Sequence, residues 1–87
     1  MLSNRTIPTL TEAAVMGQTI VNNVPKLLNQ LGMDSKTFQA NCMLQGMSES
    51  TSRRIMNGET QITPKNLAIA ASVLGVSIGE IIEIVEQ

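Results

Sequence analysis

The sequence has no histidine, and it has only one cysteine, Cys42, and one aspartate, Asp34. A nucleophilic thiol needs a neighbouring base to activate it, and no imidazole is present for that purpose. Apart from the predicted solvent face of the last helix, no carboxylates are spaced as a pair. A metal site needs three or four His, Cys or carboxylate ligands close together, and the sequence offers no such cluster. We therefore expect no enzyme activity, no metal and no other cofactor.

Aromatic residues are almost absent, and Phe38 is the only one among 87 residues. Modules that bind single-stranded RNA stack bases on aromatic side chains, so this scarcity disfavours that function. The core must be built from Leu, Ile, Val, Ala and six methionines, a mixture that favours helix over sheet. Because a chain of this length forms one core, we expect a single all-α domain.

Long apolar runs are also missing, since no stretch approaches the roughly 18–20 residues needed to cross a bilayer. The N-terminal residues lack the basic-then-apolar order of a secretion signal. One cysteine permits no intramolecular disulfide and fits a reducing compartment, where a small buried apolar role is expected for Cys42. We expect a soluble cytoplasmic protein without a membrane partner.

Charge is unevenly distributed along the chain, although the formal net charge is only −1. Residues 33–66 carry four basic and three acidic side chains, whereas residues 67–87 carry three glutamates and no basic residue. A weakly basic middle followed by an acidic end permits nucleic-acid binding without requiring it.

Capping residues and helix breakers divide the chain into predicted helices. Residues 1–8 are expected to form an arm, and Thr9 with Glu12 has the spacing of a capping box that starts an additional N-terminal helix over residues 10–22. Residues 23–87 then form the main part of one compact domain. Its five predicted helices are PKLLNQL ending at Gly32, SKTFQANCMLQ capped by Asp34 or Ser35, a helix from Ser48 to Asn57–Gly58, a helix from Thr63–Pro64 to Gly75, and IGEIIEIVE capped by Ser77 and Glu80.

The third of these helices, in the stretch MSESTSRRIMNGE over residues 47–59, has few apolar residues and many hydroxyls. Ser and Thr have modest helix propensity, so a functional reason for them is expected. Hydroxyls at a helix N-terminus can donate to phosphate oxygens, and the guanidinium fork of arginine matches the O6/N7 edge of guanine. Arg53 and Arg54 diverge by about 100° on a helix, so one is expected to read a base and the other to hold a phosphate.

Three stretches resemble the phage-repressor-like (Cro-type, XRE) helix-turn-helix family: VNNVPKLLNQLGM, GMSESTSRRIMNGE and ITPKNLAIAASVLGVSIGEII. The resemblance covers the chain from Asn22 to Val85. The resemblance implies a five-helix repressor-like bundle, to which the helix over residues 10–22 would be added, and it makes residues 23–87 the DNA-binding domain. It also implies a sequence-specific regulator of transcription that binds double-stranded DNA, namely a repressor of phage, plasmid or mobile-element type.

Carried over by position, the resemblance implies a set of DNA-binding residues in and around the third helix. Ser48 and Thr51 fall where the family contacts phosphate, and Glu49, Ser50 and Arg54 fall where it reads base edges. Asn57 falls at a backbone contact after the helix, and Arg53 at a variable position that points sideways. Lys36 and Gln39 fall at possible backbone contacts of the second helix. Ser52 occupies a position that is commonly aliphatic in the family.

A single short reading helix contacts too few base pairs for useful specificity, so we expect a homodimer on a palindromic operator. The candidate dimer surfaces are the N-terminal helix (Leu10, Ala14, Gly17, Val21) and the margin of the last helix (Ile81, Ile84, Val85), each with intramolecular packing as the alternative. The alternative function is a protein-interaction module, such as an antitoxin or adaptor with weak or no DNA binding. The acidic pI of about 5.2 favours that alternative.

Overall fold

The computed structural model describes residues 18–86, which form five helices and two strands. Strand β1 is followed by the helices α1 to α5, and strand β2 closes the described chain. Their bounds are β1 Gln18–Asn22, α1 Val24–Leu31, α2 Ser35–Leu44, α3 Glu49–Met56, α4 Pro64–Leu74, α5 Ile78–Ile81 and β2 Ile82–Glu86.

The expectation of an all-α fold is wrong, because β1 and β2 pair as a two-stranded antiparallel sheet. In this ribbon, Ile20 lies opposite Ile84 and Val21 opposite Glu83. Residues 18–22 are therefore not the end of an N-terminal helix, and the last predicted helix stops at Ile81. The Thr9–Glu12 capping box, Leu10, Ala14 and Gly17 lie outside the described residues.

Local composition explains both strands. In β1, Thr19, Ile20 and Val21 form an uninterrupted β-branched run, which loses side-chain freedom in a helix and packs well on a sheet. In β2, the order Ile-Glu-Ile-Val alternates apolar and charged residues at first, which suits the period of two of a strand. Each strand supplies the other with a partner that is distant in sequence.

The predicted helix ends of the central part are confirmed. The side chains of Asp34, Ser48 and Thr63 each accept a hydrogen bond from the backbone N–H three residues later, so each caps the helix that follows it. Gly32 and Gly75 close their helices in the left-handed conformation. The end of α3 differs in one detail, because only Gly58 has a positive φ, of 94°, whereas Asn57 has a φ of −92°.

The core lies between the helices and beneath the base of the ribbon. The largest fully buried side chains are Phe38, Ile55, Ile81, Val24, Cys42 and Ser52. Burial of Ile81 excludes it from the predicted dimer surface. Burial also raises the pKa of the Cys42 thiol to about 11, as expected for a thiol in apolar surroundings. Over residues 18–86 the longest helix has 11 residues, and none has the length and apolar character to cross a membrane.

Candidate nucleic-acid interface

The N-terminus of α3 is built from three neighbouring hydroxyl groups. Ser48 Oγ accepts a hydrogen bond from the backbone N–H of Thr51 at 3.1 Å and donates to Thr51 Oγ1 at 2.8 Å. Ser50 Oγ lies 3.4 Å from Ser48 Oγ. Ser48 is therefore a helix cap in addition to a predicted phosphate contact, which explains part of the hydroxyl content of this stretch without any ligand.

The inner face of α3 holds the helix firmly to the domain. Ile55 is 1% exposed, and Ser52 is fully buried with its Oγ donating to the carbonyl oxygen of Glu49 at 2.8 Å. The polar group at this commonly aliphatic position is thus satisfied inside its own helix, so its burial carries no unpaired hydroxyl.

Asn22 connects the C-terminal end of α3 to the ribbon. Its side-chain amide donates to the carbonyl oxygens of Ile55 at 3.0 Å and Glu59 at 2.7 Å, and its Oδ1 accepts from the Val24 N–H at 2.8 Å. Asn22 is only 8% exposed, and each of its polar atoms has a partner. The connection from Asn22 to α3 was not predicted from the sequence, because the two carbonyl oxygens that accept from its amide follow it by more than thirty residues in the chain.

The outer face of α3 brings together most of the predicted site residues. Those exposed on α3 or its flanks are Ser48, Glu49, Ser50, Arg53, Arg54 and Asn57, and Thr51 is half-buried beside them. The Arg54 guanidinium makes one long hydrogen bond among the described residues, 3.4 Å from Nη2 to Thr51 Oγ1. Arg54 therefore points outward from the domain, on the same helix face as Thr51.

Arg53 has a different environment from Arg54. Its Nη2 lies 2.7 Å from the Glu49 carboxylate in an ion pair one turn apart, and the two side chains are 60% and 58% exposed. Such an exposed pair stabilises the helix by about 0.5 kcal/mol or less. It also holds Arg53 back towards the start of α3, and it occupies the Glu49 carboxylate that was predicted to read a base.

Lys36 and Gln39 both lie on α2, and Gln39 is near the start of α3. Gln39 Nε2 donates to the backbone carbonyl of Glu49 at 3.4 Å, a weak contact between the two helices. Lys36 is exposed in the first turn of α2. Asp34 caps that turn, and the hydrogen bond from the Thr37 N–H is the main cause that lowers the pKa of its carboxyl group below 3.8, with a smaller contribution from Lys36.

A further cation near the turn between α2 and α3 was not predicted. The ammonium nitrogen of Lys65, in the first turn of α4, lies 4.0 Å from the point where a Cβ would stand on Gly46. Gly46 has a φ of 104°, which side-chain-bearing residues rarely adopt. The sequence indicated only that Lys65 lies at a helix start. Its approach to the turn between α2 and α3 could not be predicted, because that approach depends on tertiary packing.

A shallow pocket of about 280 Å³ lies between α1 and the segment from α5 to β2, and Lys26, Gln30, Glu80 and Glu83 are among the residues that line it. It includes no residue of α2 or α3. Across residues 18–86, no three His, Cys, Asp or Glu side chains lie close enough together to hold a metal ion.

Comparisons with known proteins assign neither a family nor a function to this chain. The chain matches no family model, no curated protein and no solved structure.

Proposed function

We propose that this protein binds double-stranded DNA in a sequence-specific manner through α3 and regulates transcription as a homodimeric repressor in the cytoplasm. The observation that supports the proposal best is the division of α3 into two faces. Ser52 and Ile55 fix the inner face to the core, and the outer face presents Arg54 to solvent next to small hydroxyls. A helix held in this way can enter a groove without first reorganising.

The dimensions of α3 suit a major groove. Eight residues make a rod about 12 Å long, and an α-helix with its side chains is about 10–12 Å across, which fits the major groove of B-DNA, about 12 Å wide. Arg54 reaches solvent from the last turn of this rod, whereas Ser48 and Ser50 lie at its start. In the proposed complex Arg54 reads a guanine edge and Ser50 lies against a base edge, while the hydroxyls of Ser48 and Thr51 contact phosphate.

The roles proposed for the remaining residues follow from their contacts. Arg53 is a phosphate contact that becomes available when its ion pair with Glu49 opens. Lys36 and Asn57 are proposed as backbone contacts at the two ends of the interface, since both are exposed. As a dimer, the protein reads two half-sites about 34 Å apart on a palindromic operator.

A second candidate function is a protein-interaction module of the antitoxin or adaptor type. Carboxylates favour it, because Asp34 occupies the N-terminus of α2 and Glu49 lies in the first turn of α3. These are places where a phosphate would otherwise be attracted by the helix dipole. In this alternative, Glu49, Arg53 and Arg54 serve to complement the dipole of α3, with the acidic residue in its first turn and the basic residues in its last.

The first experiment selects bound duplexes from a random pool and then measures affinity for the enriched site over a range of salt concentrations. Enrichment of a palindrome and a fall in affinity with rising salt are expected. Absence of any duplex binding at low salt would refute the proposal and favour the protein-interaction alternative.

The second experiment compares substitutions on the enriched site. Arg54→Ala should weaken binding by about 1–3 kcal/mol and relax the preference at one base pair, while Arg53→Ala should weaken binding on all duplexes alike. Because Ser48 also caps α3, Ser48→Gly is the better test of its hydroxyl, since glycine costs a cap only a few tenths of a kcal/mol. An unchanged operator affinity for Arg54→Ala would exclude Arg54 as a base reader.

A further inference from the structure

The ribbon of β1 and β2 has two outer edges with different character. The β1 sequence QTIVN is uncharged, whereas the β2 sequence IEIVE carries two glutamates. Charged residues on an edge strand are a common device that prevents pairing with another chain. By this criterion the edge of β2 is protected and the edge of β1 is not.

The hydrogen-bond register shows which groups of β1 point outward. The backbone N–H of Asn23 donates to the carbonyl oxygen of Ile81 at 2.7 Å, which continues the ladder beyond the strand. Because bonding alternates along an antiparallel ladder, residues 19 and 21 direct their backbone groups towards β2. Ile20 therefore directs its N–H and C=O away from β2, and no other strand among residues 18–86 pairs with that edge.

A ribbon of two five-residue strands is only marginally stable without a further strand or extensive packing. The base of this ribbon is anchored, because Asn22 is hydrogen-bonded to the C-terminal end of α3 and Ile82 packs against the core. Further along, Ile20 and Ile84 lie opposite each other and both remain half-buried. This outer part has apolar surface left to cover.

We propose that a second copy of this chain pairs with the edge of β1, in antiparallel register centred on Ile20, to form a continuous four-stranded sheet. The strand order is β2, β1, β1 of the second copy and β2 of the second copy. This inference rests on the homodimer of the proposed function, and it differs from both candidate dimer surfaces expected from the sequence, the N-terminal helix and the margin of the last helix.

Charge and geometry select this arrangement over pairing through β2. In the proposed sheet, the only residues at the twofold axis are uncharged, and the two isoleucine pairs form one apolar row across four strands. Glu83 lies on the outer strand of each copy, and these two strands are about 14 Å apart at the strand spacing of a sheet. Pairing through β2 would instead bring the glutamate-bearing strands of both copies side by side, where like charges repel.

Matched proline variants test the edge. Ile20→Pro removes the outward N–H of β1, and Ile84→Pro removes the corresponding outward N–H at the opposite position of β2, so each leaves the bonds between β1 and β2 in place. Ile20→Pro should raise the dimer dissociation constant at least about thirtyfold, since two hydrogen bonds are lost across the twofold axis. Ile84→Pro should dimerise like the parent protein.

Cysteine cross-linking gives a second test that does not depend on tolerance of proline. At the proposed axis the two Cα atoms of residue 20 are about 5.5 Å apart, within reach of a disulfide, whereas those of residue 84 are about 14 Å apart. Mild oxidation should therefore convert Ile20→Cys, but not Ile84→Cys, into a covalent dimer. The native Cys42 provides the background, because it is buried and its raised pKa keeps it unreactive.

Light scattering on the full chain decides the outcome. A monomeric parent protein, as would result if the chain's own N-terminal residues covered the edge, would overturn the inference while leaving DNA binding open. A dimer that survives Ile20→Pro, or that cross-links through residue 84 and not residue 20, would also overturn it. A dimer that requires Ile20 but binds no duplex would uphold this interface and refute the proposed function instead.

Discussion

Replacement of Asn22 by alanine should destabilise the domain strongly, although the side chain is small and polar. The change removes the acceptor of the Val24 N–H at the start of α1, a buried hydrogen bond worth about 0.5–1.5 kcal/mol. It also removes the 2.7 Å hydrogen bond to the Glu59 carbonyl oxygen, which is worth about 1 kcal/mol. The Ile55 carbonyl loses less, because it still accepts from the Gly58 N–H at 3.1 Å.

The free energy of unfolding of Asn22→Ala should therefore fall by about 2–3 kcal/mol, a large share of the 5–15 kcal/mol typical of a domain. For a chain of this size the fall corresponds to a Tm lower by about 10–20 °C. Urea titration followed by circular dichroism measures it.

Asn23→Ala is the matched control, because the adjacent amide makes only exposed hydrogen bonds, at 3.2 Å, to the Glu80 carbonyl and the Glu83 carboxylate. Its cost should stay within about 0.5 kcal/mol. If Asn22→Ala were no more damaging than Asn23→Ala, the idea that Asn22 joins α3 to the ribbon would be refuted.

Two further predictions concern titratable groups. The hydrogen bond from the Thr37 N–H lowers the pKa of Asp34 below 3.8, and a carboxyl group with a lowered folded-state pKa stabilises the fold above its unfolded pKa. The Tm difference between the parent protein and Asp34→Ala should thus be full at neutral pH and shrink as the pH falls below 3.8, and a difference that grows in acid would contradict the capping role. Burial raises the pKa of Cys42 to about 11, so a thiol reagent at about pH 8 should label it quickly in denaturant and very slowly in the native protein. Equal labelling rates would show that the thiol is exposed.

The helices were predictable from sequence because their ends depend on nearby residues. The caps at Asp34, Ser48 and Thr63 act over three residues, and Gly32 and Gly75 end helices through their own backbone conformation. These are local effects, so a single sequence contains the information that determines them.

The ribbon was missed because its cause is not local. The pairing of Ile20 with Ile84 joins residues from the two ends of the described chain, and each segment taken alone also fits a helical pattern of apolar residues. Pairing across the ribbon selects the two-residue period of a strand over the 3.6-residue period of a helix in both segments. The same limit applies to Lys65 and Asn22, whose neighbours are set by tertiary packing.

Within the candidate interface, the sequence predicted which side chains share a surface but not how they are engaged. Exposure of Ser50, Arg54 and Asn57 follows from the apolar pattern of α3, which places Ile55 inside. The ion pair between Glu49 and Arg53 is compatible with their four-residue spacing but was not predicted. Until this ion pair opens, the charged groups of Glu49 and Arg53 are engaged with each other and not with a ligand.

The ribbon also determines where the ends of the described chain meet. Gln18 and Glu86 are partners in the same ladder, so their backbones run side by side at the open end of the ribbon. A short hairpin loop of about four residues would suffice to join Glu86 to Gln18 and convert the ribbon into a hairpin. The fold over residues 18–86 is therefore compatible with circular permutation, since its connectivity can be closed without moving any helix.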